Sequence, residues 1–397
     1  MGNVVLEDLE SVRDQGLSDK ANPMLQLDVY QALTAQTDRI KSTDAADVLL
    51  LGMFGEVGSL LSELKKKKRD VTHAAFKQTI TEEVGDALWY FASFARRSDL
   101  LLSDIATKVG TAFPSSGRMT TFQDLDRSRG AIDDGKALTS MMKLAAAVGQ
   151  IMAHNADGKH HGNSAQVAAD LHVIFRAFLE MASYAGISLE DAARDNQKKT
   201  ALRWPQERVF TPLFDESFPT YEQLPRRIEM DFKEIERKGA RVVIQQMNGI
   251  NIGDPVTDNA GEEDHYRFHD VFHLSYAAFL GWSPVLRSLL KLKRKSVGRI
   301  DEVEDGARAT IIEEAVSNWV FNHAKDVDFF SSATSVDYRI LKLIAELVRG
   351  QEVEKCPFWQ WEKAILEGFR VFRLLRDNRG GKVIADLNAR TLTIVVK

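Results

Sequence analysis

Apolar residues recur at helical spacing in two neighbouring segments of the chain. In the first segment they are Met53, Phe54, Val57, Leu60, Leu61 and Leu64. In the second they are Ile80, Val84, Ala87, Leu88 and Phe91. Apolar positions three and four residues apart lie on one face of an α-helix, whereas a half-buried strand alternates every second residue. The pattern therefore predicts a pair of helices around Gly55–Phe91, each with one buried face.

Acidic residues occur at the same spacing in both predicted helices. Glu56 lies one turn from Ser59 and two turns from Glu63, and Glu83 lies three residues before Asp86. Side chains at these separations share a helix face, so carboxylates from the two helices can converge. Converging carboxylates repel one another unless a cation lies between them, and their oxygens suit Mg²⁺, which often completes its coordination with substrate phosphates. The alternative is that each acid is an ordinary residue of a solvated face.

A glycine follows an acid by two residues in each helix, at Gly58 and at Gly85. Glycine inside a helix costs about 1 kcal/mol relative to alanine. We therefore interpret these glycines as marks of close packing or of a nearby ligand.

Three runs of sequence resemble the all-alpha nucleoside triphosphate pyrophosphohydrolases of the MazG type: LLLGMFGEVGSLLSELKKKK, EEVGDALWYFASFA and LLLSDIA. The signature of that family is E-x-x-E, followed after a couple of dozen residues by E-x-x-D. The resemblance implies that Glu56, Glu83 and Asp86 are catalytic ligands of Mg²⁺, with Mn²⁺ as an alternative ion.

The chain departs from the signature at Ser59, which stands where the family has its second acid. Glu63 or Glu82 could substitute, either by holding the attacking water or by binding a second Mg²⁺. A basic run lies between the two acidic helices, and the resemblance implies that its Lys65 or Lys66 contacts a substrate phosphate. The alternative is that this run is a solvated helix end.

A later stretch of the chain is similar to the first. Leu189–Ala193 resembles Leu102–Ala106, and the run AAVGQIM resembles FGEVGSLL. We interpret this similarity as an internal duplication. The second copy has Ala147 opposite Glu56, so we do not expect it to bind Mg²⁺ by itself.

The end of the second copy carries Asn196, Lys199 and Arg203. Their spacing resembles the closing N-x-x-K-x-x-x-R element of the family, which implies a role in binding nucleotide. Because members of the family are built from dimers of such units, a fused pair would bring these residues beside the acids of the first copy. The alternative is the polar end of a surface helix.

Two histidines at i and i+4 are the main chemical candidate in the rest of the chain. On a helix this spacing places both imidazoles on one face, where they can chelate a metal. We expect a third histidine one turn earlier on that face, with acids from the same helix and from another. The candidate second site comprises His265, His269, Asp270, His273, Glu313 and Glu314. The alternative is that these are capping, core or surface residues.

The remainder of the second half is expected to be mainly helical with a few short strands. Arg241–Ile244 and Thr391–Val396 are rich in β-branched residues and predict strands, whereas Gly380–Gly381 predicts a turn. The basic run Lys291–Lys295 predicts a helix that keeps its charges in water, with nucleic-acid contact as the alternative.

The composition bears on the number of domains, on nucleic-acid binding and on the cellular compartment. A chain of 397 residues with 44% hydrophobic content can form two or three domains with substantial cores. The formal net charge of -5 argues against broad nucleic-acid binding, which needs a basic surface. The single cysteine, Cys356, fits a reducing compartment. We find no signal peptide and no apolar run of about 18 residues, so we expect a cytoplasmic protein without membrane association.

These observations predict a mainly α protein. The resemblance implies that an all-alpha NTP pyrophosphohydrolase bundle, which forms a pseudo-dimer, precedes a mostly helical domain with a few short strands. The predicted segments are a tail at 1–24, a first repeat at 25–115, a linker at 116–135, a degenerate second repeat at 136–210 and an accessory domain at 211–397. The resemblance implies Mg²⁺-dependent cleavage of an NTP or dNTP to the monophosphate and pyrophosphate. The alternatives are a nucleotide-binding sensor with decayed catalysis and a bifunctional enzyme with a second phosphohydrolase site. Association into a homo-oligomer is left open.

Overall fold

The chain forms two compact units in a computed structural model. The first unit spans Met1–Gln206 and the second spans Glu207–Lys397. The structure describes residues 24–40, 45–69, 76–110, 119–127 and 131–396. The predicted tail therefore lies outside the described residues except for its last position. The predicted division of the first unit into two repeats and a linker stays a prediction.

The described part of the first unit is helical. Its helices are α1 (Leu27–Thr37), α2 (Ala45–Arg69), α3 (Phe76–Arg97), α4 (Leu102–Gly110), α5 (Phe122–Arg127), α6 (Asp134–Ala156), α7 (Ser164–Ala185) and α8 (Leu189–Arg203). The predicted helix pair is confirmed as α2 and α3. The predicted linker contains α5, whose Phe122 and Leu125 are buried in the core.

The core of the first unit lies between two pairs of long helices. α2 packs against α3, α6 packs against α7, and the pairs meet where α2 contacts α6. Most of the apolar positions that predicted α2 and α3 are buried there, including Met53, Val57, Val84 and Phe91. Leu61 is partly buried against this core, and Phe54 is 44% exposed.

By length and composition alone, α2 could cross a membrane, a property that it shares with many core helices of globular proteins. It is the only such helix in the described ranges.

The order of elements in the first unit occurs twice. A short helix, two long helices and a second short helix follow one another in α1–α4 and again in α5–α8. The two halves meet through reciprocal backbone hydrogen bonds before α1 and α5. The Leu27 N–H donates to the Thr120 carbonyl at 2.8 Å, and the Phe122 N–H donates to the Leu25 carbonyl at 3.0 Å.

Equivalent aspartates cap the last helix of each half. Asp28 on α1 accepts from the Ser103 N–H at 2.9 Å and from the Ser103 hydroxyl at 2.7 Å. Asp126 on α5 accepts from the Leu189 N–H at 2.9 Å and from the Ser188 hydroxyl at 2.7 Å. Carboxylates at a helix N-terminus satisfy N–H groups that have no partner within the helix. The same solution therefore fixes the starts of α4 and α8.

The second unit combines helices with one small sheet. Its helices are α9 (Asp270–Leu280), α10 (Pro284–Leu289), α11 (Gly298–Val303), α12 (Ala307–Lys325), α13 (Tyr338–Leu347) and α14 (Phe358–Asn378). Its strands are β1 (Arg227–Arg237), β2 (Ala240–Met247), β3 (Ile250–Asn251), β4 (Gly380–Asp386) and β5 (Thr391–Val395). The protein is thus mainly helical with a few strands, as the sequence predicts.

The sheet is antiparallel, with strand order β3-β2-β1-β4-β5. α9 and α14 pack together and contact β4 and β5. Residues from both helices and from the sheet form the core of this unit, including Phe272, Phe369, Val243 and Val383. This packing fixes α9, which carries His273 and has His269 as its N-cap residue.

The predicted strands at β2 and β5 are confirmed, but the predicted turn at Gly380–Gly381 is wrong. Both glycines begin β4, where Gly380 pairs with Lys233. A Cβ atom on Gly380 would lie 2.4 Å from the Phe232 carbonyl oxygen. Gly380 is therefore required by the close approach of β1 and β4 rather than by a turn.

Candidate functional site

Three acids of the first unit converge between α2 and α3. Glu56, Glu83 and Asp86 each offer a carboxylate oxygen, and these oxygens all lie within 4.8 Å of one another. Glu56 and Glu83 are close enough for each to shift the pKa of the other. Three carboxylate oxygens at this separation can bind one small divalent cation.

The two glycines near these acids have different surroundings. A Cβ atom on Gly85 would lie 2.4 Å from the Ala192 carbonyl oxygen and 3.1 Å from the Asn196 Cβ atom. A Cβ atom on Gly58 would meet nothing within 4 Å. Gly85 therefore permits close packing of α3 against α8, which brings the polar residues of α8 to the acids. Gly58 has no such role among the described residues.

Two residues of α8 bind Asp86 directly. The Asn196 amide donates to Asp86 Oδ1 at 2.7 Å, and the Lys199 ammonium donates to Asp86 Oδ2. Lys199 also contacts Glu82 Oε1 at 3.3 Å. Asn196 is buried, and its side-chain oxygen has no partner in the part of the chain that the structure describes. The acids of one half and the Asn and Lys of the other thus form a single site.

Burial raises the pKa of all three acids. Burial, together with the charges of Asp86 and Glu83, raises the pKa of Glu56 to about 8. The pKa of Glu83 is also raised, chiefly by burial. For Asp86, burial outweighs the opposing effect of Lys199, so the pKa of this carboxyl is raised as well. A bound cation would lower these pKa values, because a nearby positive charge favours the ionised form of a carboxyl group.

The other residues proposed for this site occupy different positions. Glu63 is buried and accepts a hydrogen bond from Lys66 at 2.5 Å, whereas Lys65 is exposed. Ser59 is half-buried on α2, and Arg203 lies 4.6 Å from the Trp204 ring at the end of α8. Glu63 is not among the three acids whose oxygens converge.

The structure also places two tyrosines at the acids, which the sequence reasoning missed. Tyr30 is fully buried, its hydroxyl has no partner among the described residues, and its pKa is raised by burial and by Asp86. Tyr90 is half-buried, and its pKa is raised by burial and by Glu56. Tyr90 lies four residues after Asp86, so helical spacing could have found it. Tyr30 lies on α1, and no local pattern links it to the acids.

Two histidines and a glutamate of the second unit form another cluster. His269, His273 and Glu314 offer ligand atoms that lie within 4.8 Å of one another. Asp270 joins them, with Oδ1 at 3.2 Å from His269 Nε2 and 3.7 Å from His273 Nε2. Glu314 lies on α12, so the acids come from two helices, as expected.

The two other residues proposed for the second site lie outside the group whose ligand atoms converge. Glu313 is fully buried and binds His273 Nδ1 at 2.8 Å, so it supports that imidazole from behind. His265 differs from the prediction, because it precedes α9 and adopts a positive φ of 67°. Its Nδ1 atom lies 3.0 Å from Arg267.

Comparison with known proteins assigns a relationship to this second unit. Residues 209–397 match the MazG C-terminal domain. A further similarity is to the Gene 37 protein of Mycobacterium phage L5, which is 26% identical over 93 residues. That match covers 21% of this chain and 82% of the phage protein. No solved structure matches the chain. These findings support a relationship to the MazG family.

In the second unit, the histidine cluster borders a cleft of about 450 Å³. Its walls include Tyr266, His269, Asp270 and Glu314, and the loop 252–259 closes another side. The described lining contains no lysine or arginine. His269, Asp270 and Glu314 are therefore accessible to a small molecule from the cleft, whereas His273 is fully buried behind them.

A third polar cluster lies within the first unit. Asp170 Oδ2 lies 2.8 Å from His154 Nδ1 and 2.9 Å from His160 Nε2. Gln166 donates to Asp170 Oδ1 at 3.0 Å. The pKa of Asp170 lies below its usual value, because its three polar contacts outweigh the opposing effect of burial. Asp170 is thus satisfied by side chains, and the cluster ties the ends of α6 and α7 together.

Proposed function

We propose that the first unit is a Mg²⁺-dependent nucleoside triphosphate pyrophosphohydrolase. The observation that supports this most directly is the convergence of Glu56, Glu83 and Asp86 with Lys199 at one site. Carboxylates suited to a hard divalent cation, beside a lysine suited to a phosphate, form a combination that fits a phosphate-transfer substrate. The match of the second unit to the MazG C-terminal domain is consistent with this proposal.

The reaction would be the hydrolysis of an NTP or dNTP. Water attacks the α-phosphorus, the bond from that phosphorus to the oxygen that bridges to the β-phosphate breaks, and pyrophosphate leaves with that oxygen. Mg²⁺ at the three acids would offset the charge of the phosphate oxygens and lower the pKa of the attacking water. No covalent intermediate with the protein is required.

Each side chain has a distinct task in this proposal. Glu56, Glu83 and Asp86 would hold the cation. Lys199, which neutralises Asp86 when no cation is bound, would then be available to pair with a phosphate oxygen. Asn196 holds Asp86 Oδ1 and thereby keeps that carboxylate turned towards the site.

The repeated order of elements supports the proposal that the first unit is a fused pair. The acids lie on α2 and α3 of the first half, whereas Asn196 and Lys199 lie on α8 of the second half. In such a pair, each half contributes a different part of the site. The second half would then have lost its own acids because one complete site suffices.

The experiment is to incubate the purified chain with Mg²⁺ and a panel of canonical and modified NTPs and dNTPs. Equimolar monophosphate and pyrophosphate, resolved by anion-exchange chromatography, are expected. Glu83→Gln and Asp86→Asn should each lose at least about 100-fold in turnover, since each removes a charge that stabilises the transition state. Asp195→Asn, at an exposed acid of α8, is the matched control and should retain full activity.

Unchanged turnover in both Glu83→Gln and Asp86→Asn would refute the assignment. Nucleotide binding without pyrophosphate release, persisting at high Mg²⁺, would instead indicate a sensor. Ser59 and the pairing of Asp86 with Lys199 are the features that would account for decayed catalysis.

A further inference from the structure

We propose that His269, Asp270, His273 and Glu314 bind a divalent first-row transition metal ion in the second unit. This site is separate in composition from the acids of the first unit. Two imidazoles and two carboxylates form a donor set that suits Zn²⁺, Mn²⁺ or Fe²⁺ better than Mg²⁺, which prefers oxygen ligands throughout.

The potential ligand atoms face one another. His273 Nε2 lies 3.5 Å from Glu314 Oε1, and His269 Nε2 lies 3.8 Å from Glu314 Oε2. Asp270 Oδ1 is near both imidazoles, while Asp270 Oδ2 accepts from the Gln245 amide. Gln245 thus holds one oxygen of Asp270 and leaves the other directed at the two Nε2 atoms.

Both imidazoles are oriented from behind in the way that metal-binding histidines usually are. His273 Nδ1 lies 2.8 Å from Glu313 Oε1, and His269 Nδ1 lies 2.9 Å from the Tyr266 carbonyl oxygen. These partners only accept hydrogen bonds, so each Nδ1 carries the proton. A neutral imidazole then presents the lone pair of Nε2 to a metal, and such supporting contacts raise the affinity of the site.

The support continues behind Glu313. The Ser283 hydroxyl donates to Glu313 Oε1 at 2.7 Å, and the Val285 N–H donates to Glu313 Oε2 at 2.8 Å. Both oxygens of this fully buried carboxylate are therefore engaged. Glu313 cannot rotate without losing these contacts, so it fixes the orientation of the His273 ring.

The surroundings of the His273 Nε2 atom are an independent indication that a metal ion binds here. His273 is fully buried, and its Nε2 atom has no hydrogen-bond partner among the described residues. Its nearest carboxylate oxygens, at 3.5 and 3.7 Å, are too distant for a hydrogen bond of ordinary strength. Buried polar atoms without partners are uncommon in native proteins. One metal ion would satisfy this nitrogen together with the other three ligands.

The cleft beside the cluster gives the site an open side. Four protein ligands leave room for water or substrate on an ion that takes five or six ligands, and Glu314 is 43% exposed at the mouth. Because the described lining has no lysine or arginine, the ion would be the positive charge available to an anionic substrate. The substrate class we infer is a small molecule with a phosphate or carboxylate group.

The test uses the full chain after treatment with a chelator and buffer exchange. Zn²⁺, Mn²⁺ or Mg²⁺ is added, unbound ion is removed, and the bound metal is measured by plasma mass spectrometry. All proteins carry Glu83→Gln, so that the acids of the first unit contribute little. About one Zn²⁺ or Mn²⁺ per chain is expected, with Mg²⁺ lost on buffer exchange.

The variants His269→Ala and Glu314→Gln should lower the affinity for Zn²⁺ at least about 10-fold. Glu314→Gln is isosteric at a partly exposed position, so it tests the site without risk to the fold. His265→Ala is the matched control and should retain the metal. Co²⁺ provides a second readout, since its visible absorption reports imidazole and carboxylate ligands and should disappear in both site variants.

Two outcomes would overturn the proposal. One is equal metal content in the parent chain, His269→Ala and Glu314→Gln, which would place any bound ion elsewhere. The other is no metal retained by the parent chain at micromolar Zn²⁺ or Mn²⁺. In that case the cluster is a buried set of ion pairs, and His273 is stabilised by its neighbouring carboxylates alone.

Discussion

Replacing Gly85 by alanine should loosen the contact between α3 and α8 on which the candidate active site depends. The added Cβ atom would lie 2.4 Å from the Ala192 carbonyl oxygen, a separation that real Cβ atoms do not show. That oxygen belongs to the backbone, so relief requires movement of a helix rather than rotation of a side chain. Asn196 would move with α8, and its hydrogen bond to Asp86 would lengthen.

Gly58→Ala is the matched control for this substitution. Both glycines lie inside long helices, so alanine should stabilise each helix by up to about 1 kcal/mol. At Gly58 the new Cβ atom meets nothing within 4 Å, so this gain should appear in full. At Gly85 overpacking should cost about 1–3 kcal/mol. Because the helix gain is common to both, Gly85→Ala should be less stable than Gly58→Ala by about 1–3 kcal/mol.

Urea denaturation followed by circular dichroism measures this difference. Hydrogen–deuterium exchange with mass spectrometry localises it, because peptides from α3 and α8 should exchange faster in Gly85→Ala and not in Gly58→Ala. Turnover should fall in Gly85→Ala and remain at the parent value in Gly58→Ala. Equal stability and equal exchange of α8 in the two variants would refute the argument that Gly85 sets this contact.

Three further predictions concern charge and burial. Lys199→Met should destabilise the metal-free chain by about 1–3 kcal/mol, since it leaves the half-buried Asp86 carboxylate without its charged partner. Mg²⁺ should reverse much of this loss, and exposed Lys198→Met is the control in the same urea assay. Asp215 is buried and paired with Arg287 at 2.7 Å. Burial alone would raise the pKa of Asp215, but hydrogen bonds and guanidinium charge outweigh burial and hold this pKa below its usual value. The stability that this pair contributes should therefore be present at neutral pH and be lost as pH falls below about 4. Asp215→Asn should therefore lower the stability of the second unit by about 3–5 kcal/mol at pH 7 and by less in acid, as pH-dependent urea titrations would show. Burial raises the pKa of the Cys356 thiol to about 12, so a thiol reagent should modify the native chain slowly and the unfolded chain at once; rapid reaction of the native chain would contradict its burial.

Helical periodicity was sufficient to predict the elements that carry the acids. The apolar positions of α2 and α3 are spaced by three and four residues, and the acids follow from the same spacing. The sequence could not distinguish Gly58 from Gly85, because the difference lies in what approaches each glycine from α8. Contacts between residues far apart in the chain leave no local pattern.

The strands were harder to predict for a similar reason. β1 has the sequence RIEMDFKEIER, in which charged residues outnumber apolar ones, so no strand was predicted there. Ile228, Met230 and Phe232 are nevertheless buried in alternation, while the charges between them remain more exposed. Pairing with β2 and β4 stabilises this segment, and that pairing depends on residues distant in sequence.

The prediction that the basic run Lys291–Lys295 keeps all its charges in water is wrong. We expected a helix with all its charges in water, but Arg294 is fully buried. It binds Asp305 at 2.7 Å and Glu352 at 2.6 Å. A buried guanidinium needs such partners, since an unpaired charge in the interior is very costly. These partners lie 11 and 58 residues further along the chain, so the sequence pattern around Arg294 does not indicate its buried position. Because it is buried, Arg294 is not available to nucleic acid.

Because the two halves of the first unit both contribute to the first site, its acids are synthesised before its lysine. Lys199 lies 113 residues after Asp86, so a ribosome adding about 5–20 residues per second completes the acids roughly 6–23 s before their lysine emerges. During this interval the carboxylates of α2 and α3 lack the ammonium that neutralises them. A product that ends before α8 would keep those acids uncompensated and its core face uncovered, which makes it a ready substrate for cellular proteases. The contact that completes the site therefore also distinguishes chains that include α8 from chains that end before it.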